Sequence, residues 1–151
     1  FNGLYRVNAN GLFNVPSNQK KKINIFEKTN LEQISDFLKT VQIYHQDFET
    51  TVQNATEGDL VFFDSPYAPL NPTSFDSYTK EGFSTDEHIR LSNVFKRLTE
   101  QGVYCILTNH NTDFIRDLYS DFNIFEIDVK RMINSDAKNR TGKELIVTNF
   151  D

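Results

Sequence analysis

Three short apolar runs, separated by stretches of helical periodicity, constrain the fold of this 151-residue chain more than any other feature. The runs are DLVFFD at 59–64, VYCILTN at 103–109 and NIFEIDV at 123–129. Each is too short for a typical helix, and each is therefore predicted to be a buried strand. Strands that alternate with helices predict an α/β fold with a mainly parallel sheet and helices on both faces. ELIVTNF at 144–150 should pair with the third run as an antiparallel hairpin at the end of the chain.

The segments between the runs show helix and turn signals. The pattern at 31–40 predicts a helix capped by Asn30, with Leu31, Ile34, Phe37 and Leu38 on one face. A second helix should begin at Thr85, carry acids in its first turn and end at Gly102, and a third should run from Asn111 or Thr112 to about Ser120. We expect a short strand at 41–48, a turn or short helix at 49–58, and a β-hairpin at 4–15 that turns at Asn10-Gly11.

Composition narrows the class of protein. The 38% hydrophobic content is ordinary for a globular domain. No apolar run approaches the roughly 20 residues of a membrane helix, and no signal peptide is evident, so a cytoplasmic location is predicted. Cys105 lies inside an apolar run and is expected to be a buried structural thiol. Because the chain begins at Phe1 and Met132 is its only methionine, we expect it to be a piece of a longer protein.

Basic residues concentrate at the two ends of the chain. Arg6 and Lys20, Lys21 and Lys22 meet no acid before residue 25, and 130–143 holds five basic residues against Asp136, whereas the body is acidic. The net charge of −5 argues weakly against a nucleic-acid partner, but the basic ends fit phosphate contacts. Solvated surface is the alternative.

The stretch FFDSPYAPL, at 62–70, places one carboxylate where a predicted strand ends. Asp64 there is either a polar strand end at a loop or a reactive group beside an aromatic ring. Open α/β sheets bind ligands at the carboxyl ends of their strands, which favours the second interpretation.

Five blocks of sequence, in order, resemble one family. They are FNGLYRVNANGLFNVP at 1–16, DSPYAPL at 64–70, SFDSYTKEGF at 74–83, ILTNHNT at 106–112 and VKRMINSDAKNRTGKELIVTNF at 129–150. Together they resemble the Dam-type DNA adenine-N6 methyltransferases, which modify GATC. The resemblance implies a DNA target-recognition region at 1–40 and the C-terminal part of a catalytic domain at 41–151. The catalytic part would be a Rossmann-like methyltransferase sheet that lacks its amino-terminal strand and turn.

The resemblance implies specific roles in methyl transfer from S-adenosylmethionine. The family's Asp-Pro-Pro-Tyr signature matches Asp64, Ser65, Pro66 and Tyr67, with serine in place of the first proline. Asp64 and the Ser65 carbonyl would accept the two N–H bonds of the adenine amine, and Tyr67 would stack on a flipped base. Asp47 and Phe48, together with Asp64, would contact the cofactor.

For double-stranded DNA, the resemblance implies contacts from the first residues. Arg6 would read a guanine, Leu4 and Pro16 would touch the thymine methyl and neighbouring apolar edges, Phe1 would insert into the base stack, and Asn2 would add a polar contact. Hairpin packing for Leu4 and solvent exposure for Arg6 are the alternatives. Lys20–Lys22 and the loop 130–143 would grip phosphates without reading sequence.

The family's amino-terminal Phe-x-Gly-x-Gly turn has no counterpart in the chain. An isolated chain should therefore bind the cofactor poorly. A DNA-binding module without methyl transfer is one alternative, because the cofactor half is absent or because Ser65 disables the site. A DNA cytosine-N4 methyltransferase with a similar Asp/Ser-Pro-Pro-Tyr site is the other. His45, His88 and His110 have no spacing that requires a metal, so no metal site is predicted.

Overall fold

The computed structural model describes residues 7–14, 26–70, 83–130 and 141–151. The chain forms two compact units, residues 1–44 and 45–151. In chain order the described elements are α1 (Lys28–Leu38), α2 (Phe48–Thr51), β1 (Leu60–Phe63), α3 (Thr85–Glu100), β2 (Tyr104–His110), α4 (Asp113–Leu118), β3 (Asn123–Lys130) and β4 (Thr141–Thr148). Within the described ranges, none of the helices has both the length and the apolar character needed to span a bilayer.

The first unit contains a tight turn and one helix. An antiparallel bridge joins Val7 to Phe13, and Gly11 in the turn between them has φ of 74°. The side chain of Asn8 accepts hydrogen bonds from the backbone N–H of Asn10 and of Leu12, each at 3.0 Å. Much of the expected hairpin, at 4–6 and 15, lies outside the described residues.

Helix α1 differs from the prediction at its start. It begins at Lys28, after an N-cap at Glu27 that makes no side-chain cap bond, so the predicted cap at Asn30 is wrong. The N–H of Leu31 already bonds to the carbonyl of Glu27, which places Asn30 inside the first turn. The predicted apolar face is present, but none of the residues of α1 is buried.

The second unit is built on a mixed four-stranded sheet in the order β1-β2-β4-β3. β1 and β2 are parallel, whereas β2 with β4 and β3 with β4 are antiparallel. The α/β class and the final antiparallel hairpin are confirmed. A mainly parallel sheet is not found among the described residues, because the strand that follows α4 returns as a hairpin.

One face of the sheet carries the core. Its side chains pack under α3 and α4, and the fully buried members include Leu91, Phe95, Leu98, Cys105, Leu107, Ile115, Leu145 and Val147. Cys105 is therefore a buried structural thiol, as predicted.

The opposite face carries exposed apolar side chains. Phe62, Tyr104 and Phe125 are each at least half exposed, so the prediction of helices on both faces is not met in the described part of this unit. Within β1 only Phe63 is buried, because this strand forms the edge of the described sheet. The strand predicted at 59–64 is therefore present as β1, but the prediction that it is buried is wrong.

The connections to the sheet follow local signals closely. Helix α3 begins at Thr85, as predicted, with Ser84 as its cap, and Gly102 follows its end with φ of 77°, as is common at a helix terminus. Thr112, one of the two predicted starts of α4, caps the helix through the N–H of Ile115 at 3.2 Å, so α4 begins one residue later, at Asp113. The predicted strand at 41–48 is wrong: no strand lies there, and Ile43 is 73% exposed.

Candidate active site

Asp64 lies directly beyond the last residue of β1, where the chain leaves the sheet. The parallel register pairs Phe63 with Leu107, so Asp64 comes level with Thr108 of β2. The Thr108 hydroxyl donates a hydrogen bond to Oδ1 of Asp64 at 3.0 Å. Asp64 is exposed, so its carboxylate faces outward and not into the protein interior.

The turn that follows Asp64 is anchored to β2 through both backbone groups of Ala68. Its N–H donates to Oδ1 of Asn109 at 2.8 Å, and its carbonyl lies 2.7 Å from Nδ1 of His110. Because a carbonyl only accepts, Nδ1 of His110 must carry the hydrogen. Asn109 is fully buried, and its oxygen also accepts the N–H of His110 at 2.9 Å. The turn is therefore held from both faces of β2, since successive side chains of a strand point to opposite faces.

Tyr67 is half-buried beside this anchor. Its ring meets the His110 ring edge-on, with centroids 5.0 Å apart and an interplanar angle of 82°. Burial raises the pKa of Tyr67 above its ordinary value of 10.0, the negative charges of Glu144 and Asp64 raise it further, and the neighbouring Thr108 hydroxyl opposes the change. The phenol therefore stays neutral at physiological pH.

A cavity of about 740 Å³ opens beside the turn. Asp64, Ser65 and Pro66 form part of its wall, and the aromatic rings of Phe48, Phe62 and Phe83 form another part. The Ser65 hydroxyl is shielded from solvent, and it has no hydrogen-bond partner among the described residues. A buried hydroxyl without a partner is costly to the fold.

Asp47 stands behind the cavity wall. Its carboxylate caps α2 through the N–H of Glu49 at 2.9 Å, and both of its oxygens receive Arg90, at 2.9 and 2.7 Å. The Arg90 hydrogen bond is the main reason that the pKa of Asp47 lies below its ordinary value of 3.8. The Arg90 guanidinium also lies 4.1 Å from the centroid of the Phe48 ring. Arg90 thus fixes the segment that presents Phe48 to the cavity.

The structure brings together some of the predicted site residues and leaves others apart. Phe48, Asp64, Ser65 and Pro66 share one cavity, Tyr67 lies beside it, and Asp47 is not part of its wall. The predicted DNA contacts all lie outside the described residues: Phe1, Asn2, Leu4, Arg6 and Pro16. The same holds for Lys20–Lys22 and for 131–140, which make up most of the basic loop. Within the described ranges, no group of three or more His, Cys, Asp or Glu side chains is arranged to hold a metal ion.

The sequence pattern gave no site role to Thr108, Asn109 and His110, which hold Asp64 and the turn after it, or to Arg90, which holds Asp47 and Phe48. The first three form an unbroken polar triplet at the end of an otherwise apolar strand. The polar end of β2, next to a parallel strand that is followed by an acid, is a pattern from which their role could have been predicted.

Comparison with known proteins gives consistent matches. Residues 1–133 match the model of the D12 class N6 adenine-specific DNA methyltransferase family. Over 155 residues, 44% are identical to the type II methyltransferase M1.LlaDCHI of Lactococcus lactis subsp. cremoris, covering 99% of this chain and 54% of that protein. The type II methyltransferase M.MjaIII of Methanocaldococcus jannaschii is 43% identical, covering 99% of this chain and 53% of that protein. The DNA adenine methylase of Escherichia coli K12 is 28% identical over 93% of this chain and 50% of its own length. The chain thus spans about half the length of these relatives.

Proposed function

The chain belongs to the D12 class N6 adenine-specific DNA methyltransferase family, and we propose that it carries the amine-binding part of an enzyme that methylates adenine N6 in duplex DNA. The observation that carries the proposal is the outward-facing carboxylate of Asp64 on the wall of a cavity that Phe48 also lines. The proposal concerns the complete gene product, because the chain spans about half the length of its relatives.

Methylation of the adenine amine requires hydrogen-bond acceptors beside its nitrogen. The lone pair of the adenine amine is delocalised into the ring, so the nitrogen is a weak nucleophile. Asp64 and the backbone carbonyl of Ser65 accept its two N–H bonds and draw the nitrogen toward a pyramidal form. Transfer would form an N–CH3 bond while the sulfur–methyl bond of the donor breaks and the sulfur keeps the bonding pair. The nitrogen would then be positively charged until one of its N–H protons leaves. Asp64 stabilises that charge, and the proton then passes to solvent.

The cavity has the character of a cofactor site. When bound, S-adenosylmethionine supplies an electrophilic methyl group. The cavity volume of about 740 Å³ is in the range of ligand sites. Aromatic walls suit a purine ring. We assign the wall contacts to Phe48, Asp64 and Ser65, and we give Asp47 the indirect task of holding Phe48 through Arg90.

The proposed target is adenine in GATC, following the resemblance of residues 1–16. Adenine inside a duplex cannot reach a cavity wall, so the base is flipped out and Tyr67 offers its ring to it. Arg6 reads a guanine through O6 and N7, and Leu4 and Pro16 contact the thymine methyl and neighbouring apolar edges. Phe1 fills the space left in the stack, and Asn2 adds a polar contact.

Binding without turnover is the second candidate, and one residue favours it. Ser65 replaces a proline of the family signature, and a serine fixes the backbone of the turn less firmly than a ring does. The anchors on Ala68 from β2 counter this loss, since they hold the turn from its other end.

A methyl-transfer assay with the complete gene product tests both candidates. Labelled S-adenosylmethionine and duplexes with GATC or a scrambled site are the substrates, and mass analysis identifies the modified base. We expect N6-methyladenine in the GATC duplex only. Asp64→Ala should abolish transfer and leave DNA affinity nearly unchanged. The matched control is Asp121→Ala, which removes an acid that is 78% exposed and pairs with Lys96 instead of the turn.

Three outcomes would contradict the proposal. Sequence-dependent binding without product would support the DNA-binding module, and N4-methylcytosine would support the other class of enzyme. A large loss of DNA affinity in Asp64→Ala would mean that the acid supports structure instead of chemistry.

A further inference from the structure

The backbone on either side of the Ser65–Tyr67 turn is fixed by β2. On one side, β1 is hydrogen-bonded to β2 up to the pair Phe63 and Leu107. On the other side, Ala68 is bound through its N–H and its carbonyl. The main freedom left to the acid is therefore rotation of the Asp64 side chain, which is exposed.

Thr108 restrains that rotation. Its hydroxyl donates to one carboxylate oxygen, Oδ1, at 3.0 Å, a normal length for such a bond. A β-branched side chain in a strand has few χ1 rotamers, so the hydroxyl is itself held in place. The donor thus comes from a rigid element, and the second oxygen of Asp64 has no hydrogen-bond donor among the described residues.

We propose that Thr108 is a positioning residue for methyl transfer, which holds one oxygen of Asp64 so that the other is presented to the adenine amine. The proposal rests on the proposed function and deepens it. A hydroxyl has one hydrogen to donate, so Thr108 fixes one oxygen and leaves the lone pairs of the other free. Without this bond the carboxylate samples several rotamers, and small misplacements of groups at a reacting centre are expensive.

Three variants of the complete gene product test the proposal. Thr108→Val keeps the shape and loses the hydroxyl, whereas Thr108→Ser keeps the hydroxyl and loses the methyl group. Thr148→Val is the matched control, because its hydroxyl donates at 2.8 Å to the backbone carbonyl of Phe150 and not to Asp64. For each variant the single-turnover rate of transfer, the KM and Kd for GATC duplex and the midpoint of thermal unfolding are measured.

We expect the variants to differ in the rate of methyl transfer and not in DNA binding. Thr108→Val should lower the transfer rate about tenfold or more, with KM and Kd for DNA within about threefold of wild type. Thr108→Ser should restore the rate to within about threefold of wild type, and Thr148→Val should transfer at the wild-type rate. Should Thr108→Val fail to fold, Thr108→Ala replaces it, because a smaller side chain adds no clash.

The results separate the inference from the function on which it rests. If wild type yields no methyladenine, the proposed function is refuted and the role of Thr108 with it. If wild type transfers methyl and Thr108→Val does so equally fast, only the inference is refuted. Equal losses in Thr108→Val and Thr108→Ser would also refute it, because they would point to packing of the methyl group.

Discussion

Replacing Asn109 with alanine should separate the stability of the fold from the geometry of the site. Asn109 is fully buried, and its Oδ1 accepts two backbone N–H groups, those of Ala68 and His110. Alanine removes this one acceptor and with it both hydrogen bonds. The N–H of Ala68, a residue only 2% exposed, then loses its partner inside the protein, at a cost of about 1–3 kcal/mol. With the second N–H partly exposed to water, we expect a total loss of about 2–4 kcal/mol in the free energy of unfolding.

Urea unfolding of wild type and variant measures this loss, and Asn149→Ala provides the matched control. Asn149 makes comparable hydrogen bonds at the other end of β2. Its Oδ1 accepts the N–H of Cys105 at 2.7 Å, and its amide donates to the carbonyl of Val103 at 2.8 Å. Both variants should be destabilised by similar amounts. At a temperature where both are folded, only Asn109→Ala should transfer methyl slowly, because only Asn109 holds Ala68.

Two results would refute this reasoning. A loss below about 0.5 kcal/mol in Asn109→Ala would mean that the buried N–H finds another partner. Equal transfer rates in the two folded variants would mean that the anchor on Ala68 does not set the geometry of the acid.

Two further predictions concern groups away from the acid. Arg90→Ala should weaken the binding of S-adenosylhomocysteine to the complete gene product, as measured by calorimetry, because Phe48 loses the cation that lies against its ring. Arg116→Ala, which removes an ion pair with Glu126, is the control. Equal affinities of the two variants would contradict this role of Arg90. Burial raises the pKa of the Cys105 thiol from 9.0 to about 11, so the stability that depends on its neutral form is complete below pH 9 and is lost as the pH rises toward 11. Urea unfolding across this range should show a shallower alkaline loss in Cys105→Ala than in wild type, and identical slopes would count against the shift.

Local signals predicted much of the fold, and they failed where a neighbour decides the outcome. Gly102 ends α3 as expected and Thr112 caps α4, because caps depend on a few adjacent residues. Alternating apolar residues at 41–48 suggested a strand, but a strand needs a partner, and this segment has none in the described part of the chain. Phe62 is likewise exposed because no described helix covers its face of the sheet, and the sequence of β1 alone does not reveal this.

The candidate site shows the same division. Asp64, Ser65 and Pro66 could be predicted because they are contiguous and match a known signature. Thr108 and Asn109 could not be predicted in the same way, because they meet the turn only after β1 and β2 have paired.

The parallel pairing of β1 with β2 also sets when the acid acquires its orientation. The residues that hold the turn lie 41 and 44 positions from their partners, with a whole helix between them. Contacts so distant along the polypeptide form only after the intervening loop has closed, which is a slow and entropically costly event. A peptide of residues 60–70 would contain the whole motif, but it would lack the contacts from β2 that orient the Asp64 carboxylate. During folding, chemical competence at this acid should therefore arise together with the sheet and never ahead of it.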